Sequence, residues 1–317
     1  MKRLFSAALL LTFSLTSSLA LRAQEEGPLP TQVLVGVDAK STPPASASEL
    51  TVSVNNHKEP LASWAPVQPA NAQVALLIDD GLRESVGREL DNLRKFVRDL
   101  PPGVEVMVGY LEYGRVVSDQ NFTSDHASAT SGVHLPTGMP GASASPYLCI
   151  SDFVKKWPGS AQSSSEVALD APAKHKARFI LVLTNGVDPY NGSTSITNQD
   201  SPYVAAAIHD AQRAGVAVYS IYFGDAGIRG ESANFSGQSY LSELTQGTGG
   251  VNYYEGTRNP VSMAPYLDAF RHAISETYVA TFNAHGRKDP RDLVPLKVSS
   301  PKAKLRAPSM VRPGNQE

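Results

Sequence analysis

Two aspartates directly follow a short apolar run in this chain. Asp79 and Asp80 come after residues 74–78, and Gly81 follows them. Five apolar residues without alternation are typical of a strand buried on both faces of a parallel sheet. Apolar residues then recur at 86, 90, 93 and 97, which is helical spacing. Ligands of open α/β sheets bind where strands end in this way, so the carboxylates are candidates for metal binding or acid–base chemistry. The simpler reading is a turn that favours the helix N-terminus.

The elements that must position these carboxylates alternate along the chain. Buried-type strands are predicted at 104–113, 178–184 and 216–223, with a hairpin extension at 115–119 and a short edge strand at 251–254. Helices are predicted from 86, and at 147–157, 202–214, 239–245 and 261–278. This order predicts an α/β fold: a doubly wound, mainly parallel sheet flanked by helices.

Both ends of the chain differ from this middle part. Residues 1–23 begin with Lys2 and Arg3 and continue into a short apolar core, which predicts a signal peptide and an exported protein, periplasmic or secreted. Residues 24–70 form a short β-rich lead-in, residues 71–283 the α/β domain, and residues 284–317 a basic β tail. Strands are predicted at 32–37 and 49–54, and at 279–283, 293–298 and 304–306 as a terminal β element.

Composition narrows the function classes. The chain has 28 basic and 30 acidic residues, and the predicted signal removes further basic ones, which argues against nucleic acid as a partner. No later segment is long and apolar enough for a membrane span. Cys149 is the only cysteine, so no internal disulfide is expected, and its apolar neighbours favour a buried thiol over a nucleophile. No phosphate loop or nucleophile elbow is present, and we predict that the protein is not an enzyme.

Five segments, in this order, resemble the von Willebrand factor type A (VWA) domain family. They are VALLIDDGLRES, VEVMVGYLEYGRVV with the nearby FTSD, RFILVLTNGVD, AAIHDAQRAGVAVYSIYFGD and YLSELTQGTGGVNYYEG. The resemblance runs from about residue 72 to residue 283. It is closer to secreted bacterial proteins that flank such a domain with short β segments. It implies a Rossmann-like sheet that binds protein partners.

The resemblance also implies a metal site at the carboxyl edge of the sheet. Family members use an Asp-x-Ser-x-Ser motif after the first strand, a Thr or Ser from a later loop, and an Asp after the fourth strand. Asp79 matches the first ligand, but Gly81 and Arg83 stand at the two serine positions, and Asn185 replaces the later Asp. The adhesion site that depends on a metal ion is therefore expected to be degenerate.

Other oxygens near these positions could partly compensate. Ser143 or Ser145 could supply the loop hydroxyl, and Asp80 and Asp188 are acidic neighbours. Because Mg²⁺ needs six oxygens in near-octahedral array, we predict weak or lost Mg²⁺ binding and no resident cofactor. The predicted partner-binding residues are Asp79, Asp80, Arg83 and Asn185.

Three alternatives stay open. Arg83, as a fixed cation, could pair with a partner's carboxylate in place of the metal. The protein could instead be a structural component of a cell-envelope assembly that uses its β flanks. A hydrolase with Asp79, Asp80 and Asp188 as catalytic carboxylates is a remote alternative, because nothing supplies a nucleophile or an activated water.

Overall fold

The computed structural model describes residues 27–38, 46–137, 145–159, 176–188, 201–224, 231–254, 256, 258–285 and 292–316. Of residues 83–85 and 231–235, only the backbone is described. The predicted signal peptide lies outside these ranges. Within them, no helix is long and apolar enough to cross a membrane.

Strands and helices alternate through the middle of the described chain and give way to strands at both ends. The strands are β1 Leu29–Val37, β2 Thr51–Val54, β3 His57–Glu59, β4 Leu61–Pro66, β5 Ala72–Asp79, β6 Glu105–Glu112, β7 Arg115–Val117, β8 Ala177–Thr184, β9 Val216–Tyr222, β10 Thr277–Ala284, β11 Val294–Ser299, β12 Leu305–Arg306 and β13 Met310–Val311. The α-helices are α1 Leu90–Arg98, α2 His126–Ala129, α3 Pro146–Lys155, α4 Pro202–Arg213, α5 Glu231–Thr248 and α6 Ala264–Ser275. Short 3-10 helices lie at Ala47–Glu49, Pro69–Asn71 and Thr130–Gly132, and a longer one at Asp80–Glu89.

The α/β domain is built on a five-stranded sheet in the order β7-β6-β5-β8-β9. Strands β6, β5, β8 and β9 are parallel, and β7 closes one edge as an antiparallel hairpin. Strand β5 is the central strand and is buried on both faces. The predicted doubly wound fold and its central strand are therefore confirmed.

Each face of this sheet has its own apolar core. Leu76, Ile78 and Phe179 point towards α1 and α6, whereas Leu77, Ile180 and Val182 point towards α3, α4 and α5. Neighbouring residues of one strand fall in different cores because side chains alternate across a strand. Two-sided burial explains why these strands are continuous apolar runs.

Several helices differ from the predicted ones in extent. Helical structure begins at Asp80 rather than at Val86, and its first ten residues are 3-10 helix, a stretch whose Gly81 and Gly87 have low helix propensity. Helix α5 begins well before the predicted residue 239. Its first half was not predicted because the Ser, Asn and Gly residues there give no apolar period. The predicted edge strand at 251–254 is reduced to one parallel bridge, between Ser220 and Asn252.

The two ends of the described chain pair with each other in a β-sandwich. One sheet has the order β12-β1-β10-β4 and the other β13-β11-β2-β3. Val35, Val52, Phe282 and Leu296 are among the residues that form the core between them. Strand β10 lies at the end of the predicted domain 71–283, where the strand at 279–283 was predicted, and pairs with both β1 and β4. The α/β domain is thus inserted between β4 and β10 of the sandwich.

The sandwich lies at the amino ends of the parallel strands. The chain passes between the two units at adjacent positions, where the Val67 N–H donates to the Thr277 carbonyl at 2.9 Å. Leu34 of β1 joins the core of the α/β domain, and Val279 of β10 packs against it. The carboxyl ends of β5 and β8 lie at the opposite end of the sheet. They are about 25 Å from the amino ends, because that is the length of a strand of eight residues.

Candidate functional site

Asp79 is the last residue of β5 and is 3% exposed. Its Oδ1 accepts a hydrogen bond from the Gly81 N–H at 2.9 Å, which caps the 3-10 helix. Its Oδ2 accepts one from the Thr184 hydroxyl at 2.6 Å. Because Ile78 pairs with Leu183 in the parallel register, Asp79 and Thr184 end neighbouring strands at the same level. The carboxylate therefore joins the two central strands directly.

Thr184 belongs to the site but was not among the predicted site residues. Its hydroxyl is fully buried, donates to Asp79 and accepts from the Gly186 N–H at 3.1 Å. A hydroxyl at the last position of a buried strand, beside a strand that ends in a carboxylate, is the signal that could have found it.

Asp80 points to a different part of the edge. It is 6% exposed, and its Oδ1 accepts from the Thr137 N–H at 2.9 Å, which ties the segment after the Thr130–Gly132 helix to β5. Burial raises the pKa of the nearby Glu112 carboxyl, and the negative charge of Asp80 raises it further. Asp80 and Glu112 therefore form an acidic part of the rim beside the β6–β7 hairpin.

Asn185 and Gly186 form a tight turn after β8. The Asn185 Oδ1 accepts from the Val187 N–H at 2.9 Å, so this amide oxygen organises its own loop. Gly186 has a φ of 67°, and a Cβ there would lie 2.4 Å from the Gly237 carbonyl oxygen. This turn packs backbone to backbone against α5, which leaves no room for a larger residue.

Asp188 and Ser145 approach the site from two further elements. Asp188 is 1% exposed, and its Oδ2 accepts from the Ser201 hydroxyl at 2.6 Å, next to the start of α4. Ser145 precedes α3; it is fully buried, and its hydroxyl has no hydrogen-bond partner among the described residues. Burial raises the pKa of the Tyr147 phenol well above its usual value, and the charges of Asp188 and, more weakly, Asp79 are among the causes that raise it further.

Two predicted site residues cannot be placed. Ser143 lies outside the described residues, and so does the side chain of Arg83. The structure therefore brings Asp79, Asn185, Asp188 and Ser145 to one end of the sheet, with Asp80 directed towards the neighbouring loop.

The oxygen atoms at this end of the sheet do not fit the coordination of a resident Mg²⁺. Both oxygens of Asp79 accept hydrogen bonds from the protein, and Gly81 has no side chain to offer at the first serine position. Among the residues that the structure describes, no three carboxylate, imidazole or thiol groups converge on a possible metal position. Mg²⁺ gives up its water only for several well-placed oxygens. Weak or lost binding stays a prediction that a titration tests.

Cys149 is buried in the core between α3 and the sheet. Burial raises the pKa of its thiol to about 12, so the thiol is neutral near pH 7. Only the thiolate is an effective nucleophile. Its location fits the predicted structural role.

The rim near these residues also presents an exposed aromatic side chain. Tyr113 and Gly114 form the two-residue turn between β6 and β7, with φ values of 46° and 83°. Tyr113 is 70% exposed. A left-handed backbone is unfavourable for a residue with a bulky side chain, and hairpins of this type prefer Asn or Gly there.

Comparisons with known proteins give structural neighbours only. No family model matches the chain, and no curated protein matches it. The solved structures that align include an aerotolerance-related membrane protein from Bacteroides fragilis NCTC 9343, at 13% identity and a TM-score of 0.43, covering 64% of this chain and 98% of that one. The SpRpn10 VWA domain aligns at 10% identity and a TM-score of 0.39, covering 62% and 93%. A von Willebrand factor type A protein from Catenulispora acidiphila aligns at 11% and 0.37, covering 91% and 75%.

The neighbours thus include VWA domains. At these identities and scores the likeness says nothing about activity or partners.

Proposed function

We propose that the protein is an exported, non-enzymatic binding module that contacts a protein partner through the carboxyl edge of its α/β domain. In this proposal the partner is held by side chains of the rim, with metal binding weakened or lost. The proposed contact residues include Asp80 and the Tyr113 turn, with Asn185 and Arg83 carried over from the sequence.

One observation carries the proposal: the sandwich packs at the amino ends of the parallel strands, so that among the described residues it contacts the end of the α/β domain opposite this edge. Among the described residues, three large apolar side chains are exposed, and two of them, Tyr113 and Leu135, lie at this edge. Leu135 is in the segment that Asp80 holds through the Thr137 N–H. Its side chain packs closely against Gly87, where an added Cβ would lie 2.9 Å from the Leu135 Cδ2. Exposed aromatic residues beside charged groups are frequent anchors of protein interfaces.

The chemistry of the rim supports a partner that offers a cation next to an apolar surface. Burial and then the charge of Asp80 raise the pKa of Glu112, and a lysine or arginine of a partner would be attracted to these two carboxyl groups. Asp79 and Asp188 contribute less directly, since hydroxyls of Thr184 and Ser201 already hold them. Their hydrogen bonds support a structural role better than that of catalytic carboxylates.

The test is affinity capture from the source organism with matched surface variants. Tyr113→Asn removes the exposed ring and introduces a residue that is favourable at the positive φ of this turn. The control, Lys297→Ala, changes an exposed lysine on the outer face of the sandwich. The proposal expects one protein to be captured by wild type and by Lys297→Ala, and to be lost with Tyr113→Asn. Capture that persists in Tyr113→Asn and in a Glu112→Lys variant would contradict it.

A second candidate is an envelope component that makes its contacts through the β flanks. It is favoured by the pairing of both flanks in one sandwich, whose outer sheet aligns Lys297 with Ser53 and Lys58 in neighbouring strands. In the same experiment this function expects the opposite pattern, namely loss with Lys297→Ala together with Lys58→Ala, and retention with the rim variants.

A further inference from the structure

The last described residues of the chain contact both sheets of the sandwich. In this segment, residues 305–315, Leu305 and Arg306 pair with β1, and Met310 and Val311 pair with β11. The segment returns to β1, where the Gln32 N–H donates to the Asn315 carbonyl at 2.6 Å. The Gly314 N–H donates to the Thr31 hydroxyl at 2.9 Å.

The same segment also contacts the α/β domain. The Ser309 N–H donates to the Gly247 carbonyl at 3.0 Å, near the end of α5. Gln212 of α4 donates through Nε2 to that carbonyl at 2.7 Å and to the Ser309 hydroxyl at 3.0 Å. Gly249 has a φ of 82°, and a Cβ there would lie 2.9 Å from the carbonyl carbon of Ala307. The backbones are therefore in direct contact.

Arg306 extends from this segment between the two units. A Cβ on Gly36 would lie 2.9 Å from its Nη2, so the guanidinium crosses β1 at a position that only glycine leaves open. Burial raises the pKa of the Tyr219 phenol of β9, and the positive charge of Arg306, followed by hydrogen bonds from Thr277 and Arg306, opposes that shift. Arg306 therefore links the sandwich to the parallel sheet.

A small cavity lies beside these contacts. Gln212, Asn315, Thr248 and Val216 are among the residues that line it, and its volume of about 10 Å³ admits one water molecule. Gln212 is 3% exposed, and its Nε2 bonds fix the amide so that Oε1 has no partner among the described residues. Asn315 Nδ2 likewise has none. One atom accepts and the other donates, and a single water can satisfy both.

We propose that residues 305–315 are an interdomain clamp, completed by one bound water between Gln212 and Asn315. The clamp holds the α/β domain against the sandwich at the end opposite the carboxyl edge of the sheet. The two units then unfold as one cooperative body rather than as two domains joined by the strands β4 and β10. The inference is independent of the proposed binding function.

Hydrogen exchange of the wild-type protein tests the clamp without any variant. The Ser309 amide reports its contact with the α/β domain, and the Gly314 amide reports its contact with the sandwich. Both are expected to exchange as slowly as amides of the central strand β5. Exchange of Ser309 at the rate of an exposed loop, with Gly314 protected, would overturn the proposal because the segment would then belong to the sandwich alone.

Variants and calorimetry test the coupling. Wild type and Lys297→Ala are expected to unfold in one transition. In Gln212→Ala and Arg306→Ala we expect at least tenfold faster exchange at Ser309 and a split transition. Two independent transitions in wild type, or variants that match Lys297→Ala, would overturn it. A crystal structure tests the water: density within about 2.7–3.2 Å of Gln212 Oε1 and Asn315 Nδ2 is expected, and its lack would refute that part.

Discussion

Replacing Thr184 with valine removes one hydroxyl from the centre of the candidate site and keeps the side-chain shape. The 2.6 Å hydrogen bond to Asp79 is lost, and so is the acceptor of the Gly186 N–H at 3.1 Å. A hydrogen bond to a charged group contributes about 1.5–3 kcal/mol, and an unsatisfied buried donor costs about 1–3 kcal/mol. With partial relaxation, we expect Thr184→Val to lower the free energy of unfolding by about 3 kcal/mol. That corresponds to a fall in Tm of roughly 5 °C if the two units unfold as one body.

The assay is urea and thermal unfolding of wild type, Thr184→Val and Thr184→Ser, each with Mg²⁺ and with EDTA. Thr184→Ser keeps the hydroxyl and removes one buried methyl group, so it should cost only about 1 kcal/mol. If hydrogen bonds rather than a metal hold Asp79, EDTA should leave all three proteins unchanged. Equal stability of Thr184→Val and wild type would refute the reasoning, and so would a wild-type Tm that falls in EDTA.

Three further predictions test other parts of the structure. Gly186→Ala should destabilise the fold by more than about 2 kcal/mol, since it adds a clash to the strain of a positive φ. Gly159→Ala, also at a positive φ, meets no atom of the described residues within 4 Å and should cost about 1 kcal/mol; equal losses in Tm would contradict this. Tyr113→Asn should stabilise the hairpin by about 0.5–1 kcal/mol, and a lower Tm would count against the strain. The Cys149 thiol should resist a disulfide reagent at pH 8 until the protein is denatured. Its raised pKa should also make stability fall as pH rises from about 9 towards 12, because only the unfolded state then loses the proton; rapid native labelling would disprove its burial.

The α/β domain could be predicted from the sequence because local patterns of residues mark its strands and helices. Strands β5 and β8 are apolar runs buried on both faces, and α4 has an apolar face and a glycine just beyond its end. Strand β4 was missed because Leu61–Pro66 has no alternation, and its position depends on pairing with β10, where Trp64 lies opposite Ala280. A local sequence pattern does not reveal the pairing of two strands that are so far apart along the chain.

The candidate site was predictable only as a set of positions. Asp79 could be placed at the edge because a strand visibly ends there, and Asp188 because it follows β8. The partners of these carboxylates depend on how strands and loops meet in space. The Thr184 hydroxyl reaches Asp79 only because Ile78 is in register with Leu183, which no spacing along the chain reveals.

The insertion of one domain within the other constrains how the chain can fold during synthesis. Strands β1 to β4 are made first, yet their partners β10 and β11 follow only after the whole α/β domain; Gln32 and Thr281, which share a hydrogen bond, are 249 residues apart. Closing so long a loop in an unfolded chain is slow. Once the α/β domain has folded, its two ends lie side by side at Val67 and Thr277, and the remaining search is short. The folded α/β domain therefore brings the partner strands of the sandwich together. A mutation that delays its folding should leave β1, β4 and the free edge of the β2–β3 hairpin without their partners and prone to aggregation.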